Sequence, residues 1–226
     1  MSAADPTLWD AEAAGFDREA DHGLADPTVR RAWRELLLGA LPDAPADVAD
    51  VGCGTGTLAL LLHECGHRVQ ALDFSGEMVR LAADKLAGTG VVPRRGDAAD
   101  PGFAPASLDA VLCRHVLWAL PDPAAALERW VRALRPGGRL VLVEGHWSTG
   151  PGLSAEEARE LVGRRAGQVE VTHLTDPVLW GREVTDERYC SPRGRRAADD
   201  RPQRSSRSPR PGGWRVSMRR PAGPLP

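Results

Sequence analysis

Apolar positions along this chain switch between two spacings, and the switching predicts an architecture. From Asp26 onward Val29, Trp33, Leu36, Leu37 and Ala40 recur at helical spacing. Asp26 suits the N-cap, Pro27 the first turn, and Pro42 closes the segment. Val48, Ala49 and Val51 then form a short apolar run that reads as a buried strand. A helix follows from about Thr57 to Glu64, with Gly66 placed as its C-terminal cap. Arg68 to Asp73 predicts a second strand, and Ser75 caps a helix carrying Met78, Val79, Leu81, Ala82 and Leu86 that Gly88 and Gly90 end. Val91 to Arg95 predicts a short third strand whose Pro93 suits an edge. Ser107 to Cys113 predicts a fourth strand, Asp122 to Leu134 a helix, and Gly138 to Glu144 a strongly apolar fifth strand. The order β-α-β-α-β-x-β-α-β predicts an α/β fold, a doubly wound, mostly parallel sheet with helices on both faces.

Beyond the fifth strand the pattern weakens. Ser154 to Glu157 spells a capping box for a helix reaching about Arg165, and Gln168 to Leu174 alternates as a sixth strand. Pro177 to Gly181 reads as a turn or short helix, and Val184 to Tyr189 opens a seventh strand. At Cys190 apolar periodicity stops, and Pro, Arg, Ser and Gly dominate to the end. Such a composition cannot bury enough apolar area to offset its ordering entropy, so disorder is expected from about residue 190, with the seventh strand truncated. The chain thus divides into an arm over 1–25 with Trp9 and Phe16 on a polar background, a domain over 26–189, and a tail over 190–226.

Composition narrows the partners. The chain has 226 residues, enough for one α/β domain with extensions, and a net charge of −2. The tail holds ten Arg and two Asp, a charge of +8, so residues 1–189 carry −10. An acidic body repels phosphate backbones, which disfavours nucleic acid; an RNA-binding tail built on those Arg and Trp214 is the lesser reading beside a solvated one. No apolar run approaches the roughly 20 residues that span a bilayer, and the N-terminus lacks a basic then apolar leader, so a cytoplasmic protein without membrane attachment is expected. Cys53, Cys65, Cys113 and Cys190 show no paired spacing, and His and carboxylates do not cluster at ligand spacing, so neither disulfides nor a metal is expected.

The chemistry concentrates in DVADVGCGTGTLALLL, Asp47 to Leu62. Gly52, Gly54 and Gly56 at alternate positions lack the Cβ atoms that keep a ligand from the backbone, and the following helix offers free N–H groups. In a doubly wound sheet the ligand lies beyond the C-terminal strand ends, where strand order reverses. Asp73, ending the second strand, can accept both hydroxyls of a ribose; the alternative is a helix cap. Gly96, Asp97 and Ala98 can read an adenine edge; the alternative for Asp97 is a turn cap. Arg114, His115 and Trp118 follow the fourth strand and can line a substrate mouth, as can His146 and Trp147 after the fifth, where anchoring the loop is the competing role. His115 is the best-placed base; packing at a helix start is its plainer role. His22 reads as a lid residue or a surface histidine.

Together, DVGCGTGTLAL, ALDFSGEMV, GDAAD, LDAVLCRHVLWAL and RPGGRLVLVEG resemble the class I S-adenosylmethionine-dependent methyltransferases over about Asp26 to Tyr189, and most of all their small-molecule, ubiquinone-biosynthesis-like branch. The resemblance implies a small-molecule acceptor and direct displacement. Asp50 and Gly52, Cys53, Gly54 and Gly56 would contact the cofactor's methionine part, Asp73 its ribose, and Asp97 and Ala98 its adenine, with Phe74 and Arg114 also at the cofactor and His115 following the fourth strand. It also implies an antiparallel seventh strand beside the sixth. The chain departs from the pattern where DERY runs into CSPRG in place of an apolar strand, which is read as an altered C-terminus such as a shifted reading frame. A cofactor-binding but catalytically impaired protein is therefore the first alternative. A nicotinamide-dependent oxidoreductase is the second, disfavoured because Gly56 follows Gly54 by two residues and the chain's one Tyr and one Lys form no Tyr-x-x-x-Lys pair. Oligomeric state is not legible.

Overall fold

The computed structural model describes residues 5–166 and 170–194. Among them seven strands, β1 (Asp47–Val51), β2 (Arg68–Asp73), β3 (Arg94–Arg95), β4 (Leu108–Arg114), β5 (Leu134–His146), β6 (Thr172–His173) and β7 (Glu187–Gly194), form one sheet in the order β3-β2-β1-β4-β5-β7-β6. The first five pair in parallel, and β7 runs antiparallel between β5 and β6. Strand order reverses between β1 and β4, which opens a crevice above their C-terminal ends.

Helices cover both faces because the central strands are apolar on both. Val48, Leu112, Val141 and Val143 join a layer with Trp33, Leu37, Leu61 and Leu62, whereas Val51, Val111, Leu140 and Leu142 join Leu127 and Trp130 on the other side. The helices are α1 (Pro6–Phe16), α2 (Ala20–Gly23), α3 (Pro27–Ala40), α4 (Thr57–Glu64), α5 (Gly76–Lys85), α6 (Pro123–Ala133) and α7 (Ala155–Ala166). Their starts follow the expected chemistry. Asp26 accepts from Thr28 N at 2.6 Å, Ser75 Oγ accepts from Met78 N at 3.1 Å, and Ser154 and Glu157 exchange bonds as a capping box. Buried indoles satisfy their own N–H groups, Trp33 on Leu179 O at 2.7 Å and Trp130 on Ala98 O at 2.8 Å. None of the helices among the described residues is long and apolar enough to cross a membrane.

Several expected boundaries move. β3 and β6 are two residues each, and Gln168 and Val169 of the expected sixth strand lie outside the described residues. Leu134 is the first residue of β5 and no longer part of α6, because it pairs with Leu108 of β4. The larger correction concerns the C-terminus. Disorder from residue 190 is not what the chain shows: β7 continues to Gly194, pairing with β5 from His146 opposite Glu187 to Arg139 opposite Gly194. The long edge of β5 supplies the backbone partners that local propensity lacks, and Tyr189, Cys190 and Ser191 are buried there. The tail expectation for 195–226 lies outside the described residues.

Candidate active site

A cavity of about 820 Å³ opens over the C-terminal ends of β1, β2 and β4. Its floor is the glycine loop. The N–H groups of Gly52 and Cys53 both donate to Leu72 O at 2.9 Å, folding the chain back on itself at the end of β1. Gly52 sits at φ +74°, and a Cβ there would lie 2.3 Å from Val116 Cγ2, so only glycine fits. Gly54 N donates to Asp73 Oδ2 and Ser75 N to Asp73 Oδ1, each at 2.9 Å, which fixes that carboxylate at the cavity wall. Gly56 is a correction to the triplet: it does not line the cavity but backs onto α5, where a Cβ would meet Ala82 at 3.0 Å.

Asp50, Cys53, Phe74, Asp97 and Ala98 all line the same cavity as Gly52, Gly54 and Asp73. Asp50 is 2% exposed and its Oδ2 has no hydrogen-bond partner among the described residues. Burial raises its carboxyl to about 7 against the pull of Arg114, with Asp73 adding to the rise. Burial likewise raises Asp73, despite the N–H donors of Ser75 and Gly54. The Cys53 thiol is pushed well up by burial, which removes it as a nucleophile near neutral pH.

At the other end of the cavity stand Arg114, His115, Trp118 and Trp147. The Arg114 guanidinium carbon lies 5.0 Å over the Trp33 ring, and one of its nitrogens donates to the Asp21 carbonyl. His115 follows β4 with φ +57°, in the left-handed region that costs a side chain roughly 1–2 kcal/mol. Glu144 of β5 holds that conformation: its Oε1 accepts from Val116 N at 3.1 Å and Leu117 N at 2.8 Å. Both His115 ring nitrogens are buried without partners among the described residues, and burial with Arg114 beside it keeps the imidazole well below its usual pKa, hence neutral. Trp118 Nε1 donates to His115 O at 3.0 Å and its ring meets Trp147 edge-on at 5.4 Å. His146 is a second correction. It is exposed and outside the cavity, because it continues the β5 face of Leu140 and Leu142 while the chain turns at Trp147.

Residues 49–142 match the family model described as a methyltransferase domain. The fold agrees with it. Over that stretch the chain is similar to methyltransferase domains. It is 36% identical over 153 residues to nocamycin O-methyltransferase of Saccharothrix syringae, covering 60% of this chain and 54% of that protein. Against demethylmenaquinone methyltransferase of Clavibacter sepedonicus it is 33% identical over 146 residues, covering 64% and 58%. The chain spans about half the length of the curated relatives it matches. Among solved structures, geranyl diphosphate C-methyltransferase of Streptomyces coelicolor A3(2), in complex with S-adenosylhomocysteine, superposes with a TM-score of 0.63 at 18% identity over 73% of this chain and 79% of that one. That last likeness concerns the fold alone.

The cavity also has lining residues that periodicity did not single out. Trp9, Phe16, Asp21 and His22 line the cavity from α1, α2 and the turn between them, and the His22 ring stacks on Phe16 at 4.2 Å. His22 is therefore no surface histidine, and burial, with Arg114 nearby, lowers it to about 4. The arm is latched from outside the cavity. Asp17 accepts from Thr55 Oγ1 at 2.5 Å and Lys85 Nζ at 2.7 Å, while Asp10 accepts from Ser75 Oγ and from Glu77 N at 3.1 Å. These partners lie 38 to 68 residues apart in sequence, beyond the reach of any local pattern. Arg188 of β7 lines the cavity too; its only sequence signal was its place in DERY.

Proposed function

We propose that this chain transfers a methyl group from S-adenosylmethionine to a small-molecule acceptor bound in the same cavity. The observation that carries the reading is that one cavity joins the Gly52–Gly54 and Asp73 cradle to an aromatic end containing His115, Trp118 and Trp147. Its roughly 820 Å³ is near the top of the ~300–1,000 Å³ range of small-molecule sites, room for a cofactor and an acceptor together. The residues fit the cofactor. Asp50 has an unpartnered oxygen for an amino group, Gly52 and Gly54 allow backbone approach, and each Asp73 oxygen spends one lone pair on an N–H and keeps another for a ribose hydroxyl. Asp97, Ala98 and Phe74 line the wall where an adenine would lie.

S-adenosylmethionine, when bound, supplies a methyl carbon already activated by its sulfonium. The protein's task is alignment and exclusion of water. Trp9, Phe16 and His22 cover the cofactor side, and Trp118 and Trp147 present flat apolar surfaces to the acceptor. His115, neutral, can accept a hydrogen bond from the acceptor's hydroxyl at its lone-pair nitrogen and so turn the attacking atom toward the cradle. Named relatives that methylate nocamycin and demethylmenaquinone support a small-molecule acceptor. The test is incubation with S-adenosylmethionine and a panel of phenols, quinols and acids, reading S-adenosylhomocysteine release and product mass. Product from any member is expected; cofactor binding without product from all would favour a protein that binds and does not transfer.

A further inference from the structure

The acceptor end of the cavity contains hydrogen-bonding capacity that no described residue uses. Arg188 is 7% exposed, its guanidinium carbon lies 4.3 Å over the Trp180 ring, and one terminal nitrogen meets Asp186 at 3.3 Å. Its Nε has no partner among the described residues. A guanidinium N–H can only donate, so the group that completes it is an acceptor. His115 shares the cavity, packs on Trp147 at 5.2 Å and on Trp180 at 6.3 Å, and has two ring nitrogens in the same condition. Arg114 adds a second buried guanidinium on the same cavity.

The carboxylate beside Arg188 is engaged already: Asp186 accepts from Ser148 N at 2.7 Å and pairs with Arg188. Trp118 and Trp147 would suit an ammonium by their ring faces, but the same cavity is lined by three arginines, Arg114, Arg182 and Arg188, which disfavour a cation. The same rings suit a planar aromatic ligand.

We propose that the acceptor is an aromatic acid, its carboxylate set against Arg188 Nε and His115 and its ring against Trp118 and Trp147. This rests on the methyl-transfer reading of the cavity and names the substrate class within it. The test compares benzoate, 4-hydroxybenzoate and indole-3-acetate with their methyl esters, which keep the ring and lose the charge, by calorimetric titration into the chain saturated with S-adenosylhomocysteine. At least one acid is expected to bind about tenfold or more tightly than its ester, since a charge-assisted hydrogen bond is at stake. Arg188→Gln should bring that acid to the ester's affinity and leave S-adenosylhomocysteine affinity unchanged, and Arg188→Lys should restore part of the preference. Esters binding as well as acids, or no acid binding at millimolar concentration, overturns the proposal with the wild-type chain alone, whatever the variants' folding. If S-adenosylhomocysteine itself does not bind, the methyl-transfer reading fails, and the acid and ester titrations on the chain without it decide this proposal separately.

Discussion

Glu144 supports the backbone after His115 from inside, and replacing it makes a quantitative prediction. Its side chain is fully buried, one oxygen accepts the N–H groups of Val116 and Leu117, and the other has no partner among the described residues. The two donors favour the ionised form and burial opposes it; burial wins, raising the carboxyl from 4.5 to about 8. A pKa raised on folding means that the native state binds the proton more tightly than the unfolded chain. The resulting penalty is absent below pH 4.5, grows as pH rises, and is complete above about 8. At 1.36 kcal/mol per unit it is about 2 kcal/mol at pH 6 and about 5 kcal/mol when complete. Glu144→Gln keeps an oxygen for the two N–H groups and cannot ionise. Urea unfolding of both proteins at pH 6 and pH 9 should therefore show wild type losing about 3 kcal/mol relative to the variant between the two pH values. Asp50 titrates in the same interval but is common to both chains, so it cancels in the difference. Parallel pH dependence of the two proteins would refute the reasoning. Relative to Glu144→Gln, Glu144→Leu strands two buried donors and should cost about 2–6 kcal/mol at either pH.

Three further outcomes are expected. Asp73→Ala should weaken S-adenosylhomocysteine binding by about tenfold or more in a calorimetric titration, because hydrogen bonds to an ionised group are worth roughly 1.5–3 kcal/mol; unchanged affinity would remove the ribose role. Gly56→Ala should cost about 2–4 kcal/mol of stability, from its φ of +81° and the Ala82 contact, yet leave the folded protein's cofactor affinity alone, since Gly56 lies off the cavity. Burial keeps the His115 imidazole neutral with its pKa well below 6.5, so an inflection of turnover near neutral pH, as from Asp50 at about 7, should survive in His115→Phe, which slows turnover with cofactor binding retained; an inflection that His115→Phe abolishes would show that the imidazole does titrate there.

The sheet was legible because β1, β4 and β5 are apolar on both faces, which only strands covered by helices on two sides can be, and because Asp26, Ser75, Asp122 and Ser154 cap helices with side chains that local sequence displays. That Gly52, Asp73 and Asp97 share one cavity was legible for the same reason: they sit at strand ends, where the topology must bring them together. Gly56 resembled Gly52 in sequence, and only the nearness of Ala82 and Leu86 separates the glycine that backs onto α5 from the one that lines the cavity. β7 beyond Cys190 was not legible, since Ser191 to Gly194 pair through backbone groups with an edge of β5 that their side chains do not announce. The arm's latch and the stacking of Arg188 on Trp180 depend on partners distant along the chain, and no periodicity encodes them.

The central claim is that the crevice between β1 and β4 holds S-adenosylmethionine. Parallel titrations of S-adenosylhomocysteine and NAD into the intact chain, followed by calorimetry and thermal unfolding, test it most directly. Binding of S-adenosylhomocysteine at one site per chain, with a higher unfolding temperature and no response to NAD, is the predicted result; stabilisation by NAD with none by S-adenosylhomocysteine would contradict it.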